Sequence, residues 1–170
     1  MVQDVTMTAE RVLVRPAAEA DDPALLALDS AAWDSSSGFP SFRAALRGSF
    51  FTERAGPQSY LVAELGGDVV GYVKLQDKYQ FAEGAGVLEV AGLAVSPTAR
   101  GKGIGSTLLD AVATEAKQRG ARKISLYVFE TNTSAQRLYE RHGYVVEGRR
   151  IAEFVIDGAP RTDLSLAKYL

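Results

Sequence analysis

Apolar positions along this chain alternate between a strand-like period and a helix-like one, and the switches between the two lay out its elements. RVLVRP, residues 11–16, reads as a short first strand, and EADDPALLALDSAAW as a helix whose apolar side is Leu25, Leu26 and Leu28. DSSSGFP interrupts it, and a second helical piece is predicted over about Ser41 to Glu53. SYLVAELGGDVVGYVKLQD reads as two strands joined through Gly66-Gly67, a pair that enters a tight hairpin turn without steric cost. GVLEVAGLAVSP is a long strand ended by a proline turn. Ile104, Leu108, Val112 and Ala116 then recur at helical spacing, and the predicted helix runs as far as Gly120. KISLYVF is a further strand, residues 132–142 a helix closed by Gly143, and YVVEGRR a strand. EFVIDGAPRTDLSLAKYL is a hairpin or loop with a last strand.

The predicted order is β α α β β β α β α β β. Strand, helix and strand over 87–129 form a βαβ unit with parallel strands, whereas the hairpins are antiparallel. The expected fold class is therefore α/β (α+β), a mixed, mainly antiparallel twisted sheet with a central βαβ and flanking helices. No internal repeat appears, and DSSSG is a loop rather than a domain boundary. One domain is expected over 1–170.

Composition narrows the chemistry. With 170 residues and 46% hydrophobic content the chain can bury one core. A net charge of -2 gives no reason to expect a nucleic-acid surface, so any anion site is local. The absence of cysteine excludes thiolate metal sites and a covalent acyl-cysteine, and a single histidine leaves no ligand cluster for a metal. MVQDVTMTAE lacks a basic start and an apolar core, and no long apolar run follows, so a soluble, cytoplasmic protein without membrane partners is expected.

The segment SPTARGKGIGSTLL, residues 96–109, alternates glycines at 101, 103 and 105 with Arg100 and Lys102 between a strand and a helix. Glycines let main-chain N–H groups approach a bulky guest, and a helix N-terminus favours an anion. The spacing fits neither a P-loop, which needs Ser or Thr after Gly-Lys, nor the dinucleotide fingerprint, which would need glycine where Ser106 stands. What remains is Arg-x-x-Gly-x-Gly.

Arg100, Gly103 and Gly105 in that setting resemble the pyrophosphate-binding signature of the GNAT acetyltransferase superfamily. NTSAQRLYERHGY, residues 132–144, is similar to the family's later helix, with its Leu-Tyr and Gly-aromatic pairs. The resemblance spans a cofactor-binding core of about 87–144 and implies a GNAT-like fold, acetyl-CoA as cofactor, and transfer of its acetyl group to a primary amine by direct attack. It implies that Arg100, Gly101, Lys102, Gly103, Ile104, Gly105 and Ser106 hold the pyrophosphate. Leu93, Ala94 and Val95 would offer main-chain groups to the pantetheine arm, and Asn132 a polar contact. A bulge at Gly92 would splay this strand from KISLYVF and open a slot for an extended amide chain.

Tyr139, two helical turns after Asn132 and roughly 10 Å along the axis, takes by resemblance the role of general acid for the departing thiolate. Glu89 interrupts the apolar strand VLEVAGLAV and is the leading candidate for the base, with Glu130 or a bound water chain as alternatives. His142 lies near Tyr139 on the same helix, where a helix-end cation is the simpler reading. Trp33, Phe39, Phe42, Tyr79 and Phe81 offer aromatic surface for the acceptor, a peptide, polyamine or aromatic amine, with homodimerisation left open. A CoA-binding module without catalysis is the other function class this pattern admits.

Overall fold

The computed structural model describes residues 11–45 and 48–170. Seven strands form one sheet, β1 (Leu13–Pro16), β2 (Tyr60–Leu65), β3 (Asp68–Asp77), β4 (Val87–Val95), β5 (Lys123–Phe129), β6 (Val145–Ile156) and β7 (Ala159–Tyr169). Their spatial order is β1-β2-β3-β4-β5-β7-β6. Only β4 and β5 run parallel, and the other neighbours are antiparallel. The helices are α1 (Asp22–Ala32), α2 (Pro40–Ala45), α3 (Ile104–Gln118) and α4 (Thr133–Arg141). The mixed sheet and the element order match the sequence-based expectation.

Strand alternation divides the core into two layers. Val73 and Leu75 of β3, Leu88 and Val90 of β4 and Ile124 and Leu126 of β5 are buried with Leu108, Val112 and Ala116 of α3. On the other face Tyr60, Val62 and Tyr72 pack with Leu25, Leu28 and Ala32 of α1 and with Phe50. Gly71 sets the first contact. A Cβ there would lie 3.0 Å from Ile104 Cγ2 and 3.2 Å from both Leu108 Cδ1 and the Ala94 carbonyl, so glycine lets α3 close on β3.

Both α3 and α4 stop by the same device. The Ala121 and Gly120 amides donate to the Ala116 and Lys117 carbonyls, and those of Tyr144 and Gly143 to Tyr139 and Glu140. Gly120 at φ 69° and Gly143 at φ 86° take the left-handed position this motif demands.

Two segments differ from the sequence reading. The helix predicted to Glu53 is α2 alone; residues 46–47 lie outside the described ones, and the chain beyond them is not helical. The Asp22 carboxylate accepts hydrogen bonds from the Phe50 and Phe51 amides, and Thr52 and Ala55 exchange main-chain bonds, so the donors a helix would use are engaged elsewhere. YVVEGRR and EFVI, read as separate pieces, are one strand, β6. It bends at an irregularity between Arg150 and Phe154, where Ala152 has φ 51°, and turns into β7 through Asp157-Gly158.

Candidate functional site

The cleft begins where two parallel strands part. β4 pairs with β5 only over Val87–Glu89 and Lys123–Ser125, after which β5 continues along β7. The cause is the register shift in β4, where Gly92 faces Lys74 but Val90 faces Leu75, leaving Ala91 extra. Leu93, Ala94 and Val95 stay paired with β3 on one side and present an unpaired main-chain edge on the other. That edge lines a cleft of about 860 Å³ bounded by β4, β5, α4, the loop before α3 and the segment from α1 to α2.

The loop supplies donors at one end. Gly101 at φ 78° and Gly103 at φ 77° bend the chain into the start of α3, whose first main-chain acceptor, the Gly103 carbonyl, takes the Thr107 amide. The amides of Gly103, Ile104, Gly105 and Ser106 have no hydrogen-bond partner among the described residues, as the first turn of a helix dictates. All four residues line the cleft, with Gly101 and Arg100. Arg100 is also tied down, its Nη2 donating to the Ala32 carbonyl at 2.9 Å, which joins the loop to the end of α1. Lys102 is exposed and is not among the residues lining the cleft. Gly105 has a packing reason as well, since a Cβ there would lie 3.0 Å from Leu138 Cδ2 of α4.

Helix α4 forms the opposite wall. Asn132 is its N-cap, Oδ1 accepting from the Ala135 amide at 3.3 Å, and it also lines the cleft, so the capping and contact readings coexist. Tyr139 is buried at 8% exposure, and burial pushes its hydroxyl up to about 12. Its hydroxyl has no hydrogen-bond partner among the described residues. His142 caps the end of α4 with Nδ1 3.3 Å from Asp110 and does not line the cleft.

The end of the cleft away from the loop before α3 mixes carboxylates and rings. Glu89, half-buried, lines the cleft and accepts from Gln76 Nε2 at 3.1 Å. Glu130 is held by Arg149, Nε at 2.8 Å, away from the cleft. Trp33 is fixed by its indole N–H, which donates to Asp29 at 2.8 Å, while the Tyr72 hydroxyl donates to the same carboxylate. Phe39 meets Phe42, Phe129 and Phe154 edge to face at 5.2, 5.4 and 4.8 Å. Tyr79 and Phe81 meet at a tilted 5.2 Å in the connection between β3 and β4 and are not among the residues lining the cleft.

Sequence reasoning missed Asp29, Tyr72, Arg150 and Asp163. Arg150 pairs with Asp163, which is 2% exposed and whose carboxyl burial holds above the usual range against the guanidinium. The Arg150 guanidinium lies 4.4 Å over the Tyr127 ring. A charge interrupting an apolar strand, the signal that singled out Glu89, was present at Asp163 too. Asp29 carried no comparable signal on its helix.

Among the described residues no group of histidine, cysteine and carboxylate side chains could hold a metal, and no helix is long and apolar enough to cross a membrane. The model of the Acetyltransferase (GNAT) family matches residues 23–144. Mycothiol acetyltransferase from Thermobispora bispora is 37% identical over 90 residues, 52% of this chain but 30% of that relative, so the chain spans under a third of its length. The crystal structure of ribosomal-protein-alanine N-acetyltransferase from Brucella melitensis is 28% identical with a TM-score of 0.75, covering 93% of this chain and 99% of that one. A Salmonella typhimurium structure solved with its cofactor acetyl-CoA shares the fold at 20% identity and a TM-score of 0.73, with 94% of each chain covered.

Proposed function

Since this chain belongs to the GNAT family of acetyltransferases, we propose that its cleft transfers the acetyl group of acetyl-CoA to a primary amine by direct attack in a ternary complex. One observation carries the reading. The unpartnered amides of Gly103 to Ser106 and the unpaired edge of Leu93 to Val95 line the same cleft as Tyr139 and Glu89. The residues fit the cofactor. A helix N-terminus with vacant donors suits a pyrophosphate, and a strand edge suits the amides of an extended arm.

Acetyl-CoA, when bound, supplies an acyl group activated as a thioester. Gly103 to Ser106 would hold its phosphates and Leu93 to Val95 would pair with its arm, and Asn132 would offer the amide nitrogen its N-cap role leaves uncommitted. Glu89, turned by Gln76, accepts the proton the amine loses, directly or through a water. Tyr139 gives its proton where the C–S bond breaks. Against an ordinary thiol near 8.5, a phenol at about 12 is a weak donor, on the order of 5 kcal/mol uphill. The same burial raises the thiol, however, and so narrows the gap.

The test is twofold. Acetyl-CoA should raise the melting temperature, and an amine panel should release free CoA in step with acetylated product. No thermal shift at millimolar acetyl-CoA defeats the cofactor assignment, and a shift without transfer to any amine leaves a binding module.

A further inference from the structure

We propose that the acceptor is a primary amine carried on an apolar, ring-sized body with no acid group, an inference that rests on the acetyl-transfer reading of the same cleft. The charges at the acceptor end are what point there. Among the described residues the cations lining the cleft are Arg100, Arg141 and Arg150. Arg141 belongs to the last turn of α4, while Arg100 reaches from the loop before α3 to the end of α1, where Asp34 faces its charge, and Arg150 is the other cation on that side.

Arg150 is already neutralised. It pairs with buried Asp163 and, at 3.2 Å, with Glu153, its guanidinium lies over Tyr127, and its Nε–H is buried without a partner. An incoming carboxylate or phosphonate would meet two carboxylates along with one guanidinium, and at similar distances repulsion exceeds attraction. Asp29 and Glu89 tilt the balance further. Each accepts hydrogen bonds from neutral groups, Tyr72 and Trp33 for the first and Gln76 for the second, and neither forms an ion pair among the described residues. The acceptor end thus attracts an ammonium and repels an acid.

The rings set the body. Phe39 locks against Phe129 and Phe154, and Phe42, which also lines the cleft, is 69% exposed. Such a wall gains by covering apolar surface, which a ring offers and the thin, multiply charged chain of a polyamine does not.

The experiment compares three amines matched for body and differing in charge, phenethylamine, phenylalanine and phenylalaninamide, with the ringless 2-aminoethylphosphonate and spermidine, read as CoA released at saturating acetyl-CoA. Phenethylamine should exceed phenylalanine, 2-aminoethylphosphonate and spermidine at least tenfold in kcat/KM, and phenylalaninamide should recover most of what the carboxylate loses. Phenylalanine or 2-aminoethylphosphonate matching phenethylamine overturns the exclusion of acids. Spermidine matching it overturns the ring-sized body. If acetyl-CoA shifts the melting temperature but none of the five amines is acetylated, this substrate class is wrong while the cofactor site stands. If acetyl-CoA neither shifts it nor is consumed, the acetyl-transfer reading falls as well.

Discussion

Gln76 and Glu89 face each other across β3 and β4, and the Gln76 amide donates to the Glu89 carboxylate at 3.1 Å at the last position where β4 also pairs with β5. The carboxylate therefore stands at the vertex of the slot, with its direction set from the neighbouring strand. Glu89→Gln should lower kcat/KM near neutral pH by 10²-fold or more. The neutral fraction of an amine with a pKa of about 10.4 rises roughly tenfold with each unit by which pH climbs towards that value, so the variant should regain activity as pH rises. A variant with the wild-type pH–rate profile would assign proton removal to water, because Glu130 is engaged by Arg149.

Gly103 tests the loop. A Cβ there would meet no protein atom within 4 Å, but φ 77° is a conformation that non-glycine residues adopt at a cost of about 1–2 kcal/mol. Gly103→Val should lower the melting temperature of the free protein and, separately, abolish the rise produced by acetyl-CoA. For the wild type that rise corresponds to about 2.7 kcal/mol at a hundredfold excess over Kd. A lowered baseline with the ligand response intact would make the loop a structural turn only.

Stability should fall in acid through Asp21. Its carboxyl accepts both Arg15 Nη groups at 2.8 Å and the Ala18 amide, and the Arg15 hydrogen bonds hold it below its ordinary value of 3.8 although burial acts the other way. The sign follows from linkage. A carboxyl with a lowered folded pKa contributes stability that is complete above the unfolded value and disappears as pH falls through the folded one. Denaturant midpoints measured from pH 7 downwards should therefore drop below about pH 4. Asp21→Asn should start lower at pH 7 and fall less steeply, and an unchanged slope would place the acid sensitivity elsewhere.

The end of the cleft proposed to hold the cofactor was legible in the sequence because the role proposed for it falls to main chain, and glycine spacing, a preceding strand and a following helix are local signals. The bulge before Leu93 was readable for the same reason. The acceptor end was not. Tyr79 and Phe81 resemble Phe39 and Phe42 in composition, yet the first pair stacks on itself in the connection after β3 while the second closes on β5 and β6. Arg150 and Asp163 become partners only through the register of β6 on β7, and Asp29 reaches Tyr72 across 43 positions of sequence. Such pairings are tertiary, and no local periodicity encodes them. The shortened α2 has the same origin, since Asp22 captures the Phe50 and Phe51 amides from a distant helix start.

Tyr139 gives the sharpest test of chemistry because its position is fixed independently of its hydroxyl. Its carbonyl accepts the Tyr144 amide in the turn that ends α4, and its ring meets the Tyr144 ring at 5.8 Å. Tyr139→Phe keeps both contacts and removes one oxygen, so the fold and acetyl-CoA affinity should persist. As general acid, the residue should take 10²- to 10⁴-fold of kcat with it, with KM for acetyl-CoA little changed. The pH profile adds a second check. Burial holds the hydroxyl at about 12, so the phenol stays protonated through the range in which ordinary tyrosines ionise. Wild-type kcat/KM, which reports the free enzyme, should then show no alkaline limb from this group below about pH 11. A limb near pH 10 that vanishes in Tyr139→Phe would show the hydroxyl to be solvated in the working enzyme. Full kcat in the variant, measured where chemistry limits turnover, would remove Tyr139 from the proton path.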